Sequence, residues 1–220
     1  MKLELYKNME KAVESLLNIE ESFKALPNLN LDSFKKEDTA IIFVDVIEGF
    51  VNEGALSSPR ALNILPYVEQ LSKAEGFKKL YFADCHPADA SEFNSYPPHC
   101  INTTNEPALV KELAFNKDVD TLVEKNSTNG FHALKFKEWL KNNKNIVNFI
   151  VVGLVTDICV MQFALTLKSY FDELNGIAKI IVPIEAVETY TIDETNHNGE
   201  LMNTFALYNM QMNGIKLYRM

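Results

Sequence analysis

Positive charge is in short supply in this 220-residue chain: 21 Lys and Arg stand against 30 Asp and Glu, for a formal net charge of −9. Recognition of a phosphate backbone needs a clustered basic face. No Lys/Arg block of that type occurs, so nucleic acid is not an expected partner. Long apolar runs are missing too. None approaches the ~18–20 residues of a bilayer span, and no membrane association is expected. The opening stretch MKLELYKNMEKAVESLLNIEESF is charged throughout, unlike a secretory signal. Cysteine is scarce: Cys85, Cys100 and Cys159 are an odd, small set and make no disulfide framework. Reduced thiols and a cytoplasmic location are the expectation. Internal repeats, low-complexity tracts and Gly/Ser linkers are absent as well.

What is present is an ordinary globular composition, 47% hydrophobic and 23% charged, in a length that suits one domain. Residues 1–37 read as an N-terminal helical extension. Leu16, Leu17, Ile19 and Phe23 fall at helical spacing within residues 5–25, and LPNLNLD then breaks the helix. From residue 38 to 220 strand and helix patterns alternate. Apolar runs predict strands over 39–46, 78–85, 119–125, 148–154, 178–187 and 215–220. Helices are expected over 61–75, 132–143, 156–173 and 193–212, with a short one over 107–113. Such alternation predicts an α/β fold, a three-layer α/β/α domain with a six-stranded, mainly parallel sheet.

Ligands of such sheets bind beyond the carboxyl ends of the strands. The chemically capable residues fall there: Asp45 after the first strand, Asp84 and His86 after the second, Lys125 after the third, and Cys159 just after the fourth. With Thr156 as N-cap, Cys159 lies in a first helical turn, where free N–H groups and the helix dipole favour a thiolate and can hold an oxyanion. The alternative is a buried cysteine serving as apolar filler. A nucleophilic cysteine needs a base, for which Asp45 is placed, and a cation such as Lys125 to steady the charges. The competing readings are a loop-capping Asp and a solvated Lys.

The segment DCHPADASEFNSYPPHC gathers further chemistry. Asp84 and His86, two apart at a strand end, point to the same side, and two prolines stiffen the approach to His99. One Asp and two His suit a borderline divalent ion such as zinc, manganese or iron, with open positions left for water or substrate; Glu92 is a candidate fourth ligand. The alternative is a set of surface residues with solvated or capping histidines.

In order, Asp45 followed by Phe50, DCHP at 84–87, PPHC at 97–100, Lys125 with GF at 130–131, and GLVTDICV at 153–160 resemble the isochorismatase-like cysteine hydrolases, and among them the nicotinamidase/pyrazinamidase-like branch. The resemblance covers about residues 39–190. It implies Asp45, Lys125 and Cys159 as catalytic triad, Asp84, His86, His99 and Glu92 around one divalent metal ion, zinc foremost, and a cis peptide before Val155. It further implies the N–H groups of Val155 and Cys159 as oxyanion hole and Phe50, Tyr96 and Phe131 as walls for an aromatic substrate. The implied activity is hydrolysis of nicotinamide to nicotinate and ammonia through a cysteine thioester, in a homo-oligomer acting on a small amide. One departure stands out: the family often reads D-x-Q-x-D-F after the first strand, whereas this chain has Asp45-Val-Ile-Glu-Gly-Phe50. That leaves the triad intact and bears on the substrate. Two alternatives stay open: a superfamily hydrolase acting on a ureido, carbamoyl or other small amide, and a non-catalytic small-molecule-binding protein.

Overall fold

The apolar runs become the centre of a parallel sheet because strands buried on both faces exclude polar residues. The structure, a computed structural model, describes residues 5–220. After a turn of 3₁₀ helix, α1 (Met9–Lys24) leads to β1 (Thr39–Val44), α2 (Glu48–Val51), α3 (Leu65–Ser72), β2 (Lys78–Asp84) and β3 (Thr121–Lys125). Then follow α4 (Leu134–Asn142), β4 (Asn148–Leu154), α5 (Met161–Glu173), β5 (Lys179–Pro183), β6 (Val187–Glu188), α6 (Gly199–Met212) and β7 (Lys216–Tyr218). The sheet order is β3-β2-β1-β4-β5-β7, with β6 beside the end of β4, and every pairing is parallel.

All residues of β1 and β4 are buried. Alternation along β1 assigns its side chains to two cores. Ile42 and Val44 join Phe82, Phe136 and Phe163 on one face, while Ile41 and Phe43 join Tyr81, Val68 and Leu71 on the other. This three-layer architecture is the one the alternating pattern predicts. No helix among the described residues is long and apolar enough to cross a membrane, and all three cysteines are free thiols.

The structure departs from the expected elements in four places. Residues 107–113 form no helix. Their backbone groups pair with the segment after β1 instead: Glu48 N–H donates to the Ala108 carbonyl, and Val110 N–H to that of Val46. The expected strand 178–187 splits, because the chain turns at Ile184–Ala186 and shifts from the start of β4 to its end. The helix expected from residue 61 is 3₁₀ until Ile64. The helix expected from residue 193 starts at Gly199, where the Asn198 side chain caps it by accepting from Leu201 N–H. The segment after α1 is tied to the far end of the chain, with Leu29 N–H donating to the Arg219 carbonyl and Arg219 N–H to that of Pro27.

Candidate active site and metal centre

Strand register brings the first three groups together. Val44 is level with Phe82, and Asp84 with Lys125, so Asp45, Asp84 and Lys125 end neighbouring strands at about the 4.8 Å interstrand spacing. Asp45 takes a left-handed backbone conformation (φ 51°), its N–H donates to the Phe82 carbonyl, and its Oδ1 accepts from Asp84 N–H at 3.0 Å. The Lys125 ammonium sits between the two carboxylates, 2.8 Å from Asp45 Oδ2 and 2.6 Å from Asp84 Oδ1. It also donates to the Ser127 carbonyl at 3.1 Å and lies 3.9 Å from Cys159 Sγ. A carboxylate oxygen of Asp45, one of Asp84 and the sulfur all lie within 4.8 Å of one another. Asp45 Oδ2 is at ion-pair distance from the ammonium but off the hydrogen-bonding direction, so it keeps lone-pair capacity.

All four groups are buried, and their protonation follows from that. Burial pushes the Asp45 carboxyl up to about 6, with the charge of Asp84 adding to the rise and Lys125 opposing it. Asp84 also suffers from burial, but Lys125, His86 and His99 outweigh it and hold the carboxyl well below the usual range. Lys125 is kept protonated because Asp45 and Asp84 overcome its desolvation. The Cys159 thiol is pushed up, first by burial and then by the two carboxylates, against the pull of Lys125. The expected thiolate-favouring helix start is therefore outweighed here. Cys159 lies on a π-helical turn, Thr156–Val160, and Thr156 does not cap it: its hydroxyl is buried without a hydrogen-bond partner. The resting sulfur is a thiol beside a carboxylate able to take its proton. The Leu154–Val155 peptide is cis.

Next to this cluster, Asp84, His86, Glu92 and His99 offer one ligand atom each, all within 4.8 Å of one another. The histidine tautomers are fixed from behind. His86 Nδ1–H donates to Asn126 Oδ1 and His99 Nδ1–H to the Pro97 carbonyl, both at 2.8 Å. That turns each Nε2 lone pair inward, as in metal-binding histidines whose other nitrogen is held by an oxygen. His86 Nε2 is fully buried and has no hydrogen-bond partner, a costly state unless a cation takes the lone pair. Glu92 is anchored through Oε2, which accepts from Thr128 N–H, and its Oε1 lies 3.9 and 3.8 Å from the two Nε2 atoms. Two imidazoles and two carboxylates at these spacings fit one divalent ion of the zinc, manganese or iron type.

The sequence pattern of the Isochorismatase domain family matches residues 39–206. The chain belongs to the isochorismatase family. Among its relatives, Nicotinamidase 1 of Arabidopsis thaliana is 34% identical over 181 residues, 74% of this chain and 70% of that protein. Two solved structures share the fold. Nicotinamidase/pyrazinamidase PncA from Bacillus subtilis superposes with a TM-score of 0.70, at 23% identity, over 83% of this chain and 100% of that one. The pyrazinamidase of Pyrococcus horikoshii, in complex with zinc, gives 0.67 at 23% identity, over 83% and 99%.

In this isochorismatase-family chain the cleft between the two clusters is lined by Phe50, Tyr96, His99, Val155, Cys159 and Tyr190, among others. Phe50 and Tyr96 line this cleft, and Phe131 does not. Its ring packs against Phe136 and Tyr170 over α4 and α5, at the edge of a separate groove. Leu56, Ile158 and Tyr190 also line the cleft, and sequence reasoning passes over them because apolar and aromatic residues carry no signal of their own. Asn126 had one: it directly follows Lys125, on a strand end that already carried a site residue.

Proposed function

We propose that this chain is a metal-containing cysteine amidohydrolase that converts nicotinamide and water to nicotinate and ammonia, a step of NAD salvage. The observation that carries the reading is the contact of one buried thiol, carboxylate and ammonium with a four-ligand metal cage sharing Asp84, in a relative of Nicotinamidase 1. Asp45 takes the Cys159 proton as the sulfur attacks the amide carbon. The N–H groups of Val155 and Cys159 receive the oxyanion, a contribution of about 10²–10³ in rate per donor. Asp45 then protonates the departing nitrogen, ammonia leaves, and a thioester remains. Asp45 next takes a proton from water, which attacks the thioester. Nicotinate leaves, and the sulfur recovers its proton. Throughout, Lys125 keeps the neighbouring carboxylates tolerable inside the protein. Asp84, His86, His99 and Glu92 would hold the divalent ion, zinc in this reading, and the bound ion supplies a coordination position for a pyridine nitrogen.

Coupled ammonia detection over nicotinamide, pyrazinamide and carbamoyl compounds tests this. Nicotinamide should be turned over fastest, and Cys159→Ala should lose about 10³-fold or more in kcat with its metal content unchanged. Preference for a carbamoyl compound, or a Cys159→Ala variant that retains most of its ammonia release, would reject the reading.

A further inference from the structure

Asp157, two residues before Cys159 on the same π turn, belongs to a second network that the reaction above does not use. Its Oδ1 accepts from Thr189 Oγ1 at 2.6 Å, and its Oδ2 lies 2.8 Å from His197 Nε2. His197 Nδ1 lies 3.0 Å from the Tyr190 carbonyl, and its ring packs on the Tyr190 ring at 4.8 Å. A backbone carbonyl can only accept, so Nδ1 carries a proton. A carboxylate already receiving the Thr189 hydroxyl also accepts, and between carboxylate and imidazole the imidazole is the stronger base. Each ring nitrogen thus faces an oxygen, one on its own loop and one on the nucleophile turn. The loop is closed on itself as well: Ile192 and His197 exchange backbone hydrogen bonds of 2.9 and 3.0 Å.

Tyr190 is buried and forms one wall of the cleft, whose free volume is only about 20 Å³. In so narrow a space the placement of each wall decides how a substrate ring is held. We propose that His197 is a positioning residue for the amide hydrolysis proposed above, fastening the Tyr190–Asn198 loop to the nucleophile turn when both ring nitrogens are protonated and so setting the wall against which the substrate ring is held. The groups facing it are Asp157 from the π turn and the Tyr190 phenol. Tyr96 and Cys159 line the cleft together with Tyr190, Asp193 and Glu194 share its loop, and Arg60 pairs with Glu200 at the start of α6. Loss of one ring proton would set a lone pair against either the Asp157 carboxylate or the Tyr190 carbonyl, and the clasp would open.

Two measurements test this. In the metal-loaded wild type, long-range ¹H–¹⁵N spectra of the His197 ring at pH 6 should show both nitrogens protonated, and an Asp157→Asn variant should lose that signature. In steady-state kinetics, His197→Ala should raise KM for nicotinamide on the order of tenfold, with kcat changed much less, as expected when a wall is displaced rather than a reacting group removed. KM should rise with pH in the wild type and stay flat in the variant, and His197→Arg, which restores two donors, should recover part of the affinity. A singly protonated ring at pH 6, or a variant with unchanged KM and an unchanged pH profile, overturns the assignment. Should the wild type release no ammonia from nicotinamide, the activity reading fails, and the ring spectra still decide whether the clasp exists.

Discussion

Replacing Lys125 by Met gives the sharpest physical test of the buried cluster. Asp45, Asp84 and Lys125 together carry one net negative charge, and all three side chains are buried. Without the ammonium, two carboxylates face each other unpaired. The folded variant can restore the original net charge by binding one proton. Relative to an unfolded carboxyl near 3.9, that costs about 1.36 × (7.0 − 3.9) ≈ 4 kcal/mol at pH 7. The figure agrees with the ~3–5 kcal/mol typical of breaking a buried ion pair by removing one partner. The sign follows from proton counting. The folded variant holds one proton more than its unfolded chain, so its stability falls by about 1.4 kcal/mol for each pH unit. In the wild type Asp45, raised to about 6, is ionised above pH 7, so this dependence is absent there. Calorimetry of both proteins, stripped of metal, should therefore show a Tm gap of about 8–16 °C at pH 7, widening by about 3–5 °C at pH 8. A gap under 2 °C, or one that is the same at both pH values, would refute the charge-balance argument.

Other expectations follow from single contacts. The Asp45 carboxyl, raised to about 6 chiefly by burial, must be ionised to accept the thiol proton, so kcat/KM should fall below about pH 6 with unit slope; a flat profile down to pH 5 would remove Asp45 as the base. Asn126→Ala should weaken metal binding about 10–100-fold in chelator competition, because His86 loses the oxygen that fixes its tautomer, and His86→Ala should lose the metal in elemental analysis. Gly153→Ala would place a Cβ 2.1 Å from the Val44 carbonyl oxygen at a φ of +120°, so no folded protein should be recovered; a circular-dichroism melt within a few degrees of wild type would contradict the close strand packing.

Much of this was legible in the sequence because a doubly covered parallel sheet leaves a blunt signature. Runs such as TAIIFV and NFIVVGL have few other homes, and the polar residue that ends each run marks the functional rim. Asp45, Asp84, His86, Lys125 and Cys159 were singled out that way. Residues 107–113 misled because PALVKEL has helical spacing, while its backbone bonds lie with a segment some sixty residues earlier, a tertiary choice that local pattern does not encode. The thiol was misjudged for a similar reason: a helix start favours a thiolate, but two carboxylates brought in by β1 and β2 oppose it. His197 was silent, since its partners Asp157 and Tyr190 meet it only once α6 is in place.

Because the acid, the second acid and the ammonium each cap one of three adjoining strands, their mutual placement is inherited from the hydrogen-bond ladder and owes little to the connections between strands. Evolution or an engineer can lengthen, shorten or redecorate those connections to change what the enzyme admits, while these three groups stay aligned. Deleting a single residue inside β2 has the opposite effect: the pleat inverts, Asp84 turns to the other face, and both the ammonium and the ion cage lose the oxygen atoms they share.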